Sequence, residues 1–282
     1  MLKWYGYLGL LLIIFAEINF WAVIQPFATW YIPIVWYGYI LFIDSLVYKV
    51  KGRSLITSYF KEFVLLCLVS ILFWSIFELY NLYTISWIYT NYVWYLHLVD
   101  FTTIMPAVLE TFSLFNVLEI GKWFDIKRKA QPKRVNYKNQ SIYVNIVRLL
   151  AVIGAFTAII PILIPAIGLP FMWLGMFFFL EPFNYLTGRP SILQQASLGK
   201  KSVMLRLWLA GITMGFFWEF WNFQAYPKWI YTLPIAYFPT LKLFAMPLIG
   251  YLGYLPFATE VFLFFALFRS FFFKNKNDLI SM

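Results

Sequence analysis

A chain of 282 residues that is 62% hydrophobic, 23% aromatic and only 12% charged carries more apolar surface than one water-soluble core can bury. Its net charge of +10 sits almost wholly in short loops between apolar runs, the distribution of topology signals rather than of a nucleic-acid footprint, so no nucleic-acid partner is expected. The single cysteine, Cys67, falls inside an apolar run, which leaves no disulfide framework and no thiolate metal cluster.

In chain order, the apolar runs predict membrane spans at about 5 to 24, 28 to 48, 61 to 81, 98 to 121, 143 to 166, 168 to 186, 203 to 223 and 247 to 271. Each is near the twenty residues that a helix needs to cross a hydrocarbon core of about 30 Å. The first run follows Lys3 like a signal peptide, but Glu17, Asn19 and the lack of a small-residue cleavage site predict an uncleaved helix. Basic residues gather after the second, fourth, sixth and eighth spans: Lys49, Lys51 and Arg53; Lys122 to Lys138; Arg189, Lys200, Lys201 and Arg206; Arg269, Lys274 and Lys276. The opposite loops hold only Lys228 and Lys242. The positive-inside rule then predicts a multi-pass protein of the plasma membrane with both termini cytoplasmic. The stretch 122–142, basic and containing Pro132, reads as a cytoplasmic linker between one unit at 1–121 and a second at 143–282.

The two units resemble each other. Trp36, Gly38, Asp44, Gly52, Arg53 and Ser54 match Trp173, Gly175, Glu181, Gly188, Arg189 and Ser191. Phe73, Glu78, Asn81 and the string Trp87-Ile88-Tyr89-Thr90 match Phe216 or Phe217, Glu219, Asn222 and Trp229-Ile230-Tyr231-Thr232. Pro106, Glu110 and Phe112 match Pro256, Glu260 and Phe262. Ordered matches of this kind mark an internal repeat. Because each unit crosses an even number of times, the two enter the bilayer with the same orientation, and the repeat axis should run along the membrane normal. The expected fold is an all-α polytopic membrane protein of about eight transmembrane helices in two parallel-oriented four-helix repeats.

Six acidic residues recur in the repeat and fall within spans: Asp44, Glu78, Glu110, Glu181, Glu219 and Glu260. Ionisable groups cost several kcal/mol there and ordinarily face a bundle interior or a cavity. Depth along the spans predicts one constellation near the outer face, in which Glu78, Glu110, Glu219 and Glu260 are candidate catalytic groups. Asn81, Asn222, Trp87, Tyr89, Trp229 and Tyr231 would contact a substrate, with Asp44 and Glu181 nearer the cytoplasmic side. The competing reading is that these acids and amides hydrogen-bond across helices and lock the halves together, while the aromatic strings form an interfacial anchoring belt. His97, the only histidine, beside Asp100, rules out histidine-based metal and haem sites. No metal and no cofactor is expected, and no nucleotide-binding or nucleophile-elbow motif is found.

Phe217-Trp218-Glu219, the following Trp-x-Tyr, and a proline with a glutamate ahead of a Phe-rich helix resemble the bacterial, archaeal and fungal lycopene cyclase domain, a carotenoid cyclase built of tandem membrane repeats. The chain is also similar to a group of bacterial and archaeal multi-pass proteins without assigned activity. It departs from the cyclase pattern in having single Glu110 and Glu260 where that family has adjacent glutamates, and four helices per half where it has about three. The resemblance implies a cofactor-independent isomerase of a lipid-soluble isoprenoid, in which one carboxylic acid protonates an alkene and a carboxylate removes a proton. Two other readings stay open: a proton- or cation-coupled transporter, and a lipid- or quinone-binding subunit of a membrane complex. The expected partners are the bilayer and a lipid-soluble small molecule; the sequence specifies no protein partner.

Overall fold

The computed structural model describes residues 1–126, 141–232 and 241–273, and of 141–143 the backbone alone. Most of the basic linker, from Lys127 to Gln140, and the terminal Lys274 and Lys276 lie outside the described residues. Ten α-helices are present among the described residues: α1 (Trp4–Trp21), α2 (Tyr31–Lys51), α3 (Leu55–Ser58), α4 (Phe60–Thr84), α5 (Trp94–Val117), α6 (Ser141–Leu163), α7 (Pro165–Leu186), α8 (Ile192–Ser197), α9 (Ser202–Gln224) and α10 (Tyr254–Phe272). Eight are long and apolar enough to span a bilayer, α10 together with the short 3-10 segment Leu248–Gly253 that leads into it. The protein is an all-α, multi-pass membrane protein, and its spans fall within a few residues of the apolar runs, except that α5 begins at Trp94, four residues before the predicted start.

Exposure is distributed as lipid contact requires. Leu11, Ile14 and Ile18 on α1 and Leu149, Val152 and Phe156 on α6 are exposed; their apolar side chains would be an aggregation hazard in water but match hydrocarbon. Those two helices flank the bundle, α1 against α2 and α6 against α7. Gly9 and Gly38 let α1 and α2 approach until a Cβ on either would strike the backbone of the other, the small-residue packing that joins membrane helices without a hydrophobic driving force. The centre is built from α4, α5, α9 and α10, where Phe73, Phe77, Phe257, Phe262 and Phe265 are fully buried.

Two short helices were not anticipated. Gly52, in a left-handed conformation at φ 74°, ends α2, and Ser54 caps α3 through Thr57 N–H. Ser191 caps α8 in the same way through Gln194 N–H, 3.1 Å away. The strings after α4 and α9 are strands, β1 (Trp87–Thr90) and β2 (Lys228–Tyr231), paired antiparallel with Trp87 opposite Tyr231, Ile88 opposite Ile230 and Tyr89 opposite Trp229. Thr232 adds bonds to Ser86 and Ile85 beyond the ladder. A further pair, β3 (Lys242–Leu243) and β4 (Met246–Pro247), precedes α10.

Several charges read as loop signals are structural ties. Arg269 holds Glu62 with two nitrogens, joining α10 to α4 in an ion pair that is 3% and 7% exposed on its two sides, too buried for water to screen. Arg206 of α9 donates to Asn116 Oδ1 and to Ile120 C=O of the first half, both at 2.7 Å. Asp125, at the start of the linker, accepts Ser202 N–H and Oγ–H at the head of α9.

Candidate functional site: an aromatic chamber

Each of α4 and α9 ends in the same local device. Asn81 receives Ser86 and Trp87 N–H on Oδ1, at 2.8 and 3.1 Å, and donates Nδ2–H to Trp87 C=O at 2.9 Å. Asn222 receives Trp229 N–H and donates to Trp229 C=O, both at 3.0 Å. An amide side chain offers one acceptor and two donors, and here they are used to turn the chain from a helix end into a strand. Asn81 and Asn222 therefore shape the walls of the site through backbone bonds.

One turn earlier lie Glu78 and Glu219. Glu78 Oε1 accepts Trp74 Nε1–H at 2.8 Å and Tyr89 Oη–H at 2.5 Å, with Trp87 Nε1–H at 3.4 Å. Glu219 Oε1 accepts Tyr231 Oη–H at 2.5 Å and Tyr254 Oη–H at 2.8 Å, and Trp229 Nε1–H donates to Tyr231 Oη at 2.9 Å. Gly215 makes room for the Tyr254 ring, because a Cβ there would collide with it. In each case a glutamate behind the wall holds a tyrosine in the wall. Burial first, then the neighbouring glutamate, raise the Tyr89 and Tyr231 hydroxyls well above the ordinary phenol range, since an anion there would be poorly hydrated and beside another anion. Both tyrosines remain proton donors.

Between these walls is a cavity of about 100 Å³, lined by Trp36, Trp74, Trp87, Trp218, Trp229, Tyr89, Tyr231, Tyr254, Phe257 and Asp100 among others. Trp74 and Trp218 approach to 5.2 Å between ring centroids, and Trp218 and Trp229 to 5.9 Å. Asp100 of α5 is 7% exposed, and neither of its oxygens has a hydrogen-bond partner among the described residues. His97, one turn before it, packs against Tyr89 and Tyr92 at 4.3 and 3.9 Å. The chain matches no family model, no curated protein and no solved structure.

The four glutamates do not form the single constellation that depth along the spans predicts. Among the described residues no three acidic, histidine or cysteine side chains gather as a cation site would require. Glu78 and Glu219 stand behind the chamber walls, while Glu110 and Glu260 do not line it. Glu260 Oε1 instead receives Phe177 N–H of α7 at 2.9 Å, and Glu110 is buried within electrostatic range of Asp44 and Tyr39. The cause is rotational: Glu110 and Glu260 lie on faces of α5 and α10 directed at α2 and α7, which pack beside them.

Asp44 and Glu181 also have structural tasks. Asp44 accepts Tyr5 Oη–H at 2.6 Å, Ser54 Oγ–H at 2.8 Å and Ile56 N–H at 2.9 Å. Glu181 accepts Ile192 and Leu193 N–H at 2.9 and 2.7 Å. Each satisfies the open N–H groups of a short helix, α3 or α8, which a carboxylate does well. Trp87, Tyr89, Trp229 and Tyr231 do line the chamber. The chamber residues that the sequence did not mark as site candidates include Asp100, Tyr254, Trp74 and Trp218. For Asp100 the signal was an acid on a predicted span, though one without the acidic match in the second half that marked the other six.

Proposed function

We propose that this membrane protein admits the end-group of a lipid-soluble molecule to the aromatic chamber and isomerises it by acid–base chemistry of the lycopene cyclase type. The observation that carries the reading is a chamber walled by tryptophans around a carboxyl group, Asp100, that has no partner among the described residues. At about 100 Å³ the chamber is on the scale of cavities that accept one benzene-sized ring. A whole long-chain isoprenoid cannot fit, but the terminus at which a ring closes can. Asp100 would donate its proton to a terminal alkene, aromatic rings would stabilise the carbocation, and the carboxylate would then remove a proton from a neighbouring carbon. Between the two proton transfers a neighbouring alkene attacks the carbocation and closes the ring; one C–H bond forms and one breaks, one C–C bond forms at the expense of one C=C π bond, so substrate and product are isomers and no cofactor is consumed.

In this reading Glu78 and Glu219 are positioning residues that hold Tyr89 and Tyr231, and Glu110 and Glu260 serve helix packing. Transport is disfavoured by the packing next to the chamber, where Phe73 and Phe77 are fully buried and meet Phe257 at 5.7 and 5.8 Å.

The reading includes two parallel-oriented repeats. It is supported by the duplicated asparagine clamp and by the strand register, which exchanges Trp87–Tyr231 with Tyr89–Trp229 about Ile88–Ile230 as a two-fold axis would. The reading also has the strands on the outer side and both termini in the cytoplasm, which the distribution of basic residues supports.

The test is turnover in liposomes made in D2O with a linear isoprenoid polyene. The expected product has the substrate's composition with one deuterium gained for one hydrogen, and Asp100→Asn abolishes it. Substrate recovered unchanged and unlabelled from the wild type would overturn the reaction.

A further inference from the structure

Trp36, Trp87 and Tyr89 on the chamber wall recur as Trp173, Trp229 and Tyr231, whereas Asp100 has no acidic counterpart. Aligning Pro106 with Pro256 places Asp100 opposite Gly250 in the second half, and both line the chamber. Whatever enters therefore meets a carboxyl group on one wall and bare backbone on the other. Asp100 is the only acidic side chain among the described lining residues, and no lysine or arginine is among them.

A neutral apolar end-group would leave both buried Asp100 oxygens as they are. A positively charged one would supply the missing partner, and a buried carboxylate is costly chiefly for want of a partner. The same charge is attracted to the rings of Trp74, Trp87, Trp218 and Trp229, because indole faces are electron-rich and the site is poorly hydrated. A trimethylammonium group has no hydrogen to donate, keeps its charge without a proton, and is of a size that a cavity of about 100 Å³ accepts.

We infer that the chamber is a cation receptor, which takes the trialkylammonium end of an amphiphile in preference to a neutral end of the same bulk. The inference rests on the reading proposed above and deepens it: a neutral alkene end becomes cationic once Asp100 has given it a proton, and the ammonium takes the place of that cation beside the carboxylate. Asp100 is the counter-ion and the tryptophans form the cage.

The experiment is calorimetric titration of the full-length protein in nanodiscs of uncharged lipid, with decyltrimethylammonium and, separately, decyl neopentyl ether. Wild type should bind the ammonium about tenfold or more tightly than the ether. Asp100→Asn should bring the two to within about twofold of each other. Empty nanodiscs provide the correction for partition into lipid. Equal affinities in the wild type, or an unchanged preference in Asp100→Asn, would overturn cation recognition while leaving a chamber for neutral lipids. Failure of both probes to bind would overturn the chamber reading itself. Should Asp100→Asn not fold, Trp229→Leu carries the test: it removes a ring and no carboxylate, and the ratio of ammonium to ether affinity must fall; an unchanged ratio would overturn cation recognition.

Discussion

Asp44 and Asp100 are both aspartates in spanning helices, and both are buried, yet they have opposite surroundings. Asp44 is enclosed by a tyrosine hydroxyl, a serine hydroxyl and a backbone amide, all within 2.9 Å. Asp100 has no hydrogen-bond partner among the described residues and lies on the wall of a cavity. The difference teaches that an acid inside a membrane protein is not by itself a mark of chemistry. The informative quantity is how much of its hydrogen-bonding capacity the fold has used. By that measure Asp44, Glu181 and Glu62 belong to the framework, with Glu78 and Glu219 as framework groups that position wall residues; Asp100 and Glu110 both keep two oxygens without a partner among the described residues, and of the two only Asp100 lines the chamber.

The comparison can be broken hardest at Glu62, the framework carboxylate paired with a buried charge. Arg269→Leu would leave Glu62 buried and unpaired, and should cost about 3–5 kcal/mol in equilibrium unfolding in mixed detergent. Adding Glu62→Leu should restore much of that loss, because two apolar groups can replace a buried pair at little cost. A double variant no more stable than the single would show that the pair is not what holds α10 to α4.

Asp44→Asn and Glu181→Gln come next. Each weakens charge-assisted bonds to a short helix without emptying space, and each should cost about 1–3 kcal/mol, read by the same unfolding measurement. Ligand binding by the folded fraction should be unchanged. Loss of binding with stability intact would move these carboxylates from the framework into the site.

The smallest effect expected is in alkaline solution. In the unfolded chain Tyr89 and Tyr231 ionise near the ordinary value of about 10, whereas in the folded protein burial and the adjacent glutamates keep them protonated well above it. The folded state then binds more protons, so stability should fall as pH rises through about 10. The slope should flatten in a Tyr89→Phe, Tyr231→Phe double variant. A slope unaffected by that substitution would mean that the two hydroxyls ionise as readily folded as unfolded.

What the sequence made legible follows from the length scale of each signal. Eight runs of about twenty apolar residues are long-range composition, and every one corresponds to a spanning helix. The recurring Glu-x-x-Asn and Trp-Ile-Tyr-Thr strings are local, and they located Tyr89, Tyr231 and both tryptophans on the chamber wall. Helix rotation is not local information, so depth alone wrongly placed Glu110 and Glu260 with Glu78 and Glu219. Asp100 was named beside His97 but not counted with the other six acids, because Gly250 and not an acid stands six residues before Pro256 as Asp100 does before Pro106. The Glu62–Arg269 pair joins residues 207 positions apart, beyond any pattern read along the chain. The capping of α3 by Asp44 was nearer to hand, since Gly52 and Ser54 are a helix stop and a helix start ten residues on.

The most direct test of the contrast between framework and site carboxylates is native mass spectrometry with lipid extraction on gently purified wild type, Asp100→Asn and Glu181→Gln. The account predicts a defined lipid-soluble molecule bound to the wild type and to Glu181→Gln, and lost from Asp100→Asn. The same molecule held by Asp100→Asn at wild-type occupancy would contradict it.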